Sequence, residues 1–255
     1  MMPHHATEQF LAAAVSSILA QDYRDFELHF VDDCSPTDAR LPVLGPFRGD
    51  NRLRIWRTSR QVGPYRIKNT LLREKISSPL VAFMDSDDVS HPRRLSIQVG
   101  AMRRWGAQVV GTGFRYVDQA GRPYRTLRRF PWPNLAMKWD ARFPMLHPTQ
   151  LCTRASLVEI GGFDGTTRFG GDFDYALRAQ YLFRLWNTPH VLYDWRQHPA
   201  SLTHRPESGL GSEARKAYEA AILGKDLARR GLRGDALRAS VQAPPNDVDF
   251  ELIPE

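Results

Sequence analysis

Residues Leu80–Asp88 read LVAFMDSDD, and the other elements of the chain can be interpreted from this stretch. Five apolar residues, 80–84, end abruptly in three acids, Asp85, Asp87 and Asp88. A short apolar run of this kind predicts a strand buried on both faces, as in a sheet covered by helices. In such α/β sheets ligands bind beyond the carboxyl ends of the strands. The three carboxylates are therefore expected at a ligand crevice.

The close spacing of these acids favours a bound cation. Like charges so near each other repel, and a divalent cation removes that penalty. Hard oxygen ligands select Mg²⁺, Mn²⁺ or Ca²⁺, and Mg²⁺ usually joins carboxylates to substrate phosphates. An EF-hand loop is not indicated, because Val89, Ser90 and Ser96 occupy positions that need Asp or Asn, Gly and Glu. Taken alone, the motif also fits a solvated acidic turn.

Composition indicates a soluble globular protein. The 255 residues, 42% hydrophobic and 25% charged, suit one large domain or two small ones. No apolar run approaches the roughly 18 residues of a membrane span, and the first residues lack a secretory pattern, so a cytoplasmic location is predicted. The net charge of +7 favours acidic partners, namely nucleotide phosphates, anionic lipid or nucleic acid. Cys34 and Cys152 are interpreted as plain thiols.

Strands and helices alternate through the first half, which predicts β-α-β units and a mostly parallel sheet. Apolar residues at helical spacing predict helices at 8–20, 66–76 and 93–105. Strands are expected at 26–31, which is followed directly by Asp32-Asp33, and at 109–117.

The second half has a weaker pattern. Residues Gly121–Trp139 carry three prolines and predict a long loop or hairpin. A helix is expected at 172–183, and a basic amphipathic helix at 212–230. The Pro-rich, acidic residues from 241 to 255 are expected to be frayed.

Several short motifs follow one another in a fixed order. They are Gln21–Leu28, Val31–Ser35, Asp85–Asp88, Gly161–Asp164, Gly171–Asp174 and Arg196–His198. This order resembles the inverting family-two glycosyltransferases of the GT-A fold, from about Pro3 to His204. The resemblance implies an α/β, Rossmann-like, mostly parallel central sheet with helices on both faces. It implies a GT-A domain at 1–205, with a nucleotide-binding half (1–105) and an acceptor half (106–205), followed by the amphipathic helix and frayed acidic tail at 206–255.

The resemblance also assigns roles to individual residues. Donor binding falls to Pro3, His5, Asp33, Lys68 and Asp85. Among these, Asp33 would contact the base, Lys68 the base or diphosphate, and Asp85 the ribose or metal. The metal ligands would be Asp87, with Asp88 as a substitute ligand, and His198 near the diphosphate or metal.

Catalysis and acceptor binding fall to the second half. Asp172 matches the catalytic base, and the acceptor side matches His147, Gly162, Phe163 and Asp164. Glycosyl transfer breaks a bond to a diphosphate, whose developing charge Mn²⁺ or Mg²⁺ stabilises as a Lewis acid. A carboxylate can take the proton of the attacking hydroxyl, and one base facing the leaving group gives a single, inverting displacement.

The expected partners follow from this chemistry. The donor would be a nucleotide-diphospho-sugar, with UDP favoured as the nucleotide. The acceptor would be a glycan, a lipid-linked molecule or a small molecule. Peripheral contact with an anionic membrane, at its cytoplasmic face, is a further option through the 212–230 helix. No nucleic-acid partner is expected, because no recognition motif accompanies the positive charge. A phosphohydrolase is a weaker alternative, since its nucleophile lacks identifiable Lys and acid partners.

Each assignment has a purely structural alternative. Asp172 could cap the following helix, Asp32-Asp33 could be a turn, and His147 and His198 could be surface residues. The chain also departs from the family pattern. Only Met1 and Met2 precede Pro3 where a β-strand is expected, so the first strand is predicted to be truncated. This departure motivates the alternative of a catalytically inactive relative that binds a glycan or a partner protein.

Overall fold

The computed structural model describes residues 1–37, 42–138, 144–167, 169–206, 208–244 and 250–254. Within them the strands are β1 (Met2–His4), β2 (Leu28–Asp32), β3 (Leu53–Thr58), β4 (Leu80–Ala82), β5 (Val89–Ser90), β6 (Val109–Val117), β7 (Pro123–Leu127), β8 (Leu151–Thr153), β9 (Leu185–Arg196) and β10 (Leu252–Pro254). The helices are α1 (Glu8–Leu19), α2 (Pro64–Glu74), α3 (Arg94–Trp105), α4 (Pro133–Lys138), α5 (Arg154–Glu159), α6 (Gly171–Ala179), α7 (Glu213–Arg229) and α8 (Gly234–Ser240).

The first sheet has the order β1-β2-β3-β10, and its first three strands are parallel as predicted. Every residue of β2 is buried, which explains its continuous apolar character. β10 pairs antiparallel with β3, with Leu252 opposite Thr58. The expectation of a frayed tail is therefore wrong for residues 252–254, because the free edge of β3 supplies hydrogen bonds that composition does not reveal.

The second sheet has the order β4-β8-β6-β9-β5, with β7 on β6. The long strands β6 and β9 are parallel, whereas the other pairings are antiparallel. The complete architecture is therefore α/β with mixed sheets. β6 and β7 form the hairpin predicted for part of Gly121–Trp139, and Trp139 itself lies outside the described residues.

The short first strand connects the two sheets. The Asp33 N–H donates to the His4 carbonyl at 2.8 Å, and the Met84 N–H donates to the Met1 carbonyl at 3.1 Å. Met2 is completely buried between the neighbouring strands. The predicted truncated strand is thus present as three residues, and the carboxyl ends of β1, β2 and β4 lie side by side.

The core behind these strand ends is tied together by polar as well as apolar contacts. Arg94, on α3, is completely buried and donates to the Pro148 and Phe83 carbonyls at 2.8 and 3.0 Å. These charge-assisted bonds join the residue after β4 to the segment before β8. No helix of the described residues is both long and apolar enough to cross a bilayer.

Candidate active site

A cavity of about 260 Å³ opens at the carboxyl ends of β1, β2 and β4. Its wall contains most of the residues predicted for donor, metal and base, namely Pro3, His5, Asp33, Lys68, Asp85, Asp87 and Asp172, together with His147 from the predicted acceptor side. These residues come from strand ends and helix starts up to 169 positions apart. A second cavity, of about 280 Å³, lies among residues such as Ile18 and Val99 and includes none of the predicted site residues.

The first carboxylates of the wall follow β4. Asp87 is half-buried, and its Oδ2 accepts a hydrogen bond from His198 Nε2 at 2.9 Å. The protein displaces water from Asp85 and so raises the pKa of its carboxyl to about 6. Lys68 opposes this shift, whereas the charges of Asp87 and Asp172 add to it. A positive charge placed between Asp85 and Asp87 would relieve their repulsion.

Asp88 serves a different purpose from its neighbours. It is completely buried, and its oxygens accept the Tyr193 hydroxyl at 2.8 Å and the Arg196 N–H at 2.7 Å. Burial and the charges of Asp87 and Asp85 raise the pKa of Asp88 well above its usual range. The role of Asp88 as a substitute metal ligand stays a prediction, and in the structure its two oxygens join β9 to the end of β4.

Asp172 lies in the first turn of α6 and is half-buried. The N-cap of this helix is Gly170, at φ 72°, and no side chain caps it. The alternative of Asp172 as an N-cap is thus not what the structure shows. Instead, Oδ1 of Asp172 accepts a hydrogen bond from the Tyr65 hydroxyl at 3.1 Å. Asp172 therefore borders the same cavity as the carboxylates after β4.

Lys68 and His147 form a buried pair in the wall. Their Nζ and Nε2 atoms are 2.8 Å apart, and the His147 ring stacks on Phe83 with centroids separated by 4.4 Å. Burial and the Lys68 charge hold the pKa of His147 well below its usual range, so the neutral ring accepts from the ammonium. Burial also lowers the pKa of Lys68, while the charges of Asp85 and Asp172 oppose this.

Asp33, the residue directly after β2, accepts hydrogen bonds from the backbone of a neighbouring loop. Oδ1 of Asp33 accepts the Val62 N–H at 2.7 Å, and Oδ2 accepts the Gly63 N–H at 2.8 Å. His5 Nδ1 lies 3.0 Å from the Asp33 carbonyl oxygen. Nearby, the non-glycine residues Ala6 and Cys34 both have positive φ, 54° and 51°. Backbone strain of this kind, about 1–3 kcal/mol per residue, often accompanies ligand sites.

Three predicted acceptor residues lie behind the cavity rather than on its surface. Gly162, Phe163 and Asp164 are buried, and none of them belongs to the cavity wall. The Asn69 side-chain oxygen accepts the Phe163 N–H at 2.9 Å, and the Asn69 side-chain N–H donates to the Phe163 carbonyl at 2.8 Å. Asp164 accepts the Tyr218 hydroxyl at 3.0 Å. Their assignment to the segment that shapes the acceptor side stays a prediction, and in the structure these residues lie behind the wall that His147 and Tyr65 form.

His198 is also placed at the margin. Its ring packs on Phe10 with centroids 4.7 Å apart, and among the described residues of the cavity wall it hydrogen-bonds to Asp87.

Sequence reasoning missed several wall residues. Tyr65 was assigned to the loop before the helix predicted at 66–76, and Arg215 to a solvated basic face. Arg215 is in fact buried, and its Nε donates to the Ser208 carbonyl at 2.9 Å. The available clue was Ser212, whose side chain accepts from the Arg215 N–H and so fixes where α7 begins. Arg205 joins them at the cavity edge from the preceding loop.

Comparison with known proteins identifies the family. Residues 1–169 match the model of glycosyl transferase family 2. The chain belongs to glycosyl transferase family 2. EpsE of Bacillus subtilis (strain 168) is 30% identical over 197 residues, covering 74% of this chain and 69% of EpsE. The O-antigen biosynthesis glycosyltransferase WbnJ of Escherichia coli is 29% identical over 198 residues, covering 76% and 74%. This member of the family is a glycosyltransferase.

Solved structures agree on the fold. The S. aureus TarS fragment 1–349, in complex with UDP-GlcNAc, superposes with a TM-score of 0.72 at 20% identity, covering 94% of this chain and 68% of that fragment. The mannosyltransferase PcManGT from Pyrobaculum calidifontis, in complex with GDP-Man and Mn²⁺, gives a TM-score of 0.61 at 17% identity, covering 94% and 66%. The predicted GT-A fold is confirmed.

Proposed function

We propose that this family-two glycosyltransferase moves a sugar from a UDP-linked donor to an acceptor hydroxyl, with inversion and with Asp172 as general base. One observation carries the proposal. Asp172 borders the same cavity as Asp85 and Asp87, although 85 residues of sequence separate Asp87 from Asp172. A proton acceptor and a cluster of carboxylates facing one space are what a displacement at a diphospho-sugar requires.

The donor would lie over the ends of β1 and β2. Asp33 Oδ2 makes one hydrogen bond to backbone within the described residues and so retains an acceptor position for a base N–H. Pro3 and His5 border the same part of the cavity. A UDP donor is further supported by the E. coli relative named UDP-Glc:alpha-D-GlcNAc-diphosphoundecaprenol beta-1,3-glucosyltransferase WfgD, 32% identical over 102 residues, covering 40% of this chain and 39% of WfgD.

The residues present fit a divalent cation. Asp85 and Asp87 offer hard oxygen ligands, and the raised pKa of Asp85 reflects a site where added positive charge is favourable. His198 would either bind the cation or hold Asp87 in place, since its Nε2 is already bonded to Asp87. No preassembled group of three ligand side chains occurs among the described residues, so substrate phosphate oxygens would complete the set. The bound cation would supply charge stabilisation for the diphosphate leaving group.

The chain's own residues then carry the transfer. As the acceptor oxygen attacks the anomeric carbon, Asp172 takes its proton, and the carbon–oxygen bond to the diphosphate breaks. Attack from the face opposite the leaving group inverts the anomeric centre. The buried Lys68 ammonium opposes the rise in the pKa of Asp85 and so would favour the ionised form of that carboxylate. The acceptor would be a glycan, lipid-linked or small molecule, and WfgD, by its name, uses a lipid-linked one.

The decisive test is substitution of the base. Asp172→Asn keeps the size of the side chain but cannot accept the proton, so sugar transfer should fall by about 10²- to 10⁴-fold. UDP affinity, measured by thermal shift with Mn²⁺, should be unchanged. Asp235→Asn is the matched control, because Asp235 is also an acid in the first turn of a helix but is exposed and outside the cavity. Full activity of the Asp172→Asn protein would remove the base assignment.

A further inference from the structure

Tyr65 occupies an unusual place in the cavity wall. It is the second residue of α2, follows Gly63-Pro64, and is almost completely buried. Its hydroxyl nevertheless reaches Asp172 Oδ1 at 3.1 Å. Burial and the Asp172 charge raise the pKa of Tyr65 well above its usual range, so the hydroxyl stays protonated and can only donate to the carboxylate.

The Tyr65 ring is held from three sides. It stacks on Phe163 with centroids 5.8 Å apart and an interplanar angle of 25°. Lys68 Nζ lies 5.6 Å from its centroid. On the third side is Gly171, directly before Asp172, where an added Cβ would lie 2.8 to 3.1 Å from three ring atoms. Because the ring is packed among these neighbours, they restrict where its hydroxyl can lie.

The requirement for glycine at 171 is therefore specific to this ring. Gly171 is the first residue of α6 and does not have a positive φ, so its backbone conformation does not itself require glycine. A methyl group there must push the Tyr65 ring away, and the hydroxyl would move with it. Gly171 and Tyr65 thus form a pair that brings α2 and α6 together at the base.

We infer that Tyr65 is a positioning residue for Asp172, and that Gly171 is required so that the Tyr65 ring can reach it. This inference rests on the proposed role of Asp172 as base. The Tyr65 hydroxyl engages Oδ1, whereas Oδ2 makes no hydrogen bond within the described part of the chain and is left for the acceptor. Other charged groups also interact with this pair. Lys68 and Asp85 interact electrostatically with Asp172, and Arg215 interacts with Tyr65.

The first test removes only the hydroxyl. In Tyr65→Phe, kcat for UDP release should fall by about 10- to 100-fold, the range of one hydrogen bond to a charged group. The assay uses Mn²⁺, water as acceptor and whichever UDP-sugar gives the largest thermal shift. KM for that donor and the affinity for UDP should stay within about twofold. Tyr181→Phe is the matched control, because the Tyr181 hydroxyl also bonds a carboxylate, Asp226, at 2.9 Å, outside the cavity.

The second test asks whether Tyr65 acts through Asp172. Introducing Tyr65→Phe into the Asp172→Asn protein should cause no further loss of rate. An equal loss in both backgrounds, or a loss that appears in KM with kcat unchanged, would overturn the inference, since either shows a general structural role. If Asp172→Asn is fully active, the proposed base fails instead. If Asp172→Asn is inactive and Tyr65→Phe is normal, the positioning role alone fails.

The third test uses the glycine. Gly171→Ala should lower kcat to a similar extent, and the double variant with Tyr65→Phe should be no slower than the slower single one. Gly100→Ala, in α3, is the matched control, because an added Cβ there meets nothing within 4 Å. The expected losses, about 10- to 100-fold, are smaller than the loss expected for Asp172→Asn, so this cycle can be measured even where Asp172→Asn leaves no measurable rate. Wild-type kcat in Gly171→Ala, or simple multiplication of the two losses, would refute the pairing.

Discussion

Replacing Asp88 with alanine should destabilise the protein while leaving the chemistry of the neighbouring acids available. Asp88 is completely buried and accepts two hydrogen bonds, from the Tyr193 hydroxyl and the Arg196 N–H. The Tyr193 oxygen in turn lies 3.3 Å from the Asp85 N–H that donates to it. The side chain of Asp88 therefore fixes the end of β9 against the backbone of the acidic turn.

The size of the effect follows from the two partners left behind. Each buried donor without an acceptor costs about 1–3 kcal/mol, which gives about 2–6 kcal/mol for both. The raised pKa of Asp88 shows that burying its charge is itself unfavourable, and alanine removes that cost. We therefore expect the lower part of the range, about 2–3 kcal/mol. At about 2–4 °C per kcal/mol for a chain of this length, Tm should fall by about 4–12 °C.

The assay compares two neighbouring acids in two measurements. Urea unfolding and thermal scans give stability, and the Mn²⁺-dependent thermal shift with UDP gives site function. Asp87→Ala is the contrast, since Asp87 is half-buried and its carboxylate bonds only His198 among the described side chains. It should cost less than about 1 kcal/mol but abolish the Mn²⁺-dependent part of the shift.

The opposite pattern would refute this reasoning. If Asp88→Ala leaves Tm within about 1 °C yet abolishes the Mn²⁺-dependent shift, Asp88 binds the cation and the hydrogen bonds to Tyr193 and Arg196 contribute little.

Two further perturbations test the stability of the fold. Burial lowers the pKa of His29 to about 4, so the unfolded chain takes up this proton first as pH falls from about 6.5 to 4, and stability should decline over that window. His29→Gln should flatten the decline in Tm between pH 7 and 5; an unchanged slope would contradict this. Gly162→Ala should cost at least about 2 kcal/mol in urea unfolding, because φ is +72° and the new Cβ would overlap the Asn69 side-chain oxygen. A loss no greater than that of Gly224→Ala, whose Cβ meets nothing, would argue against strain at 162.

Local sequence patterns predicted many of the strands and helices of the fold. Strand β6 was predicted at the bounds it has, 109–117, because its valines and aromatic residues have high strand propensity and lie between the polar residues Gln108 and Asp118. The acids after β2 and β4 were placed at one edge because parallel strands end together. Features of this kind depend on residues that are close in the sequence, so they can be predicted from the sequence alone.

Contacts between residues that are far apart in the sequence could not be predicted from local patterns. Asp87 and Asp88 are adjacent in sequence, yet only the fold reveals that one borders the cavity and the other is enclosed by Tyr193 and Arg196. In the same way, β10 is a strand because β3 has a free edge.

What the sequence by itself determined is therefore the family, the alternating elements and the types of residue available for chemistry. Tertiary structure alone decided which of those residues share one space. Tyr65 meets Asp172 across 107 positions, and Lys68 meets His147 across 79. The physical reason is that burial and electrostatic fields depend on distance in space, and the side chains that displace water from an acid seldom lie next to it in the chain.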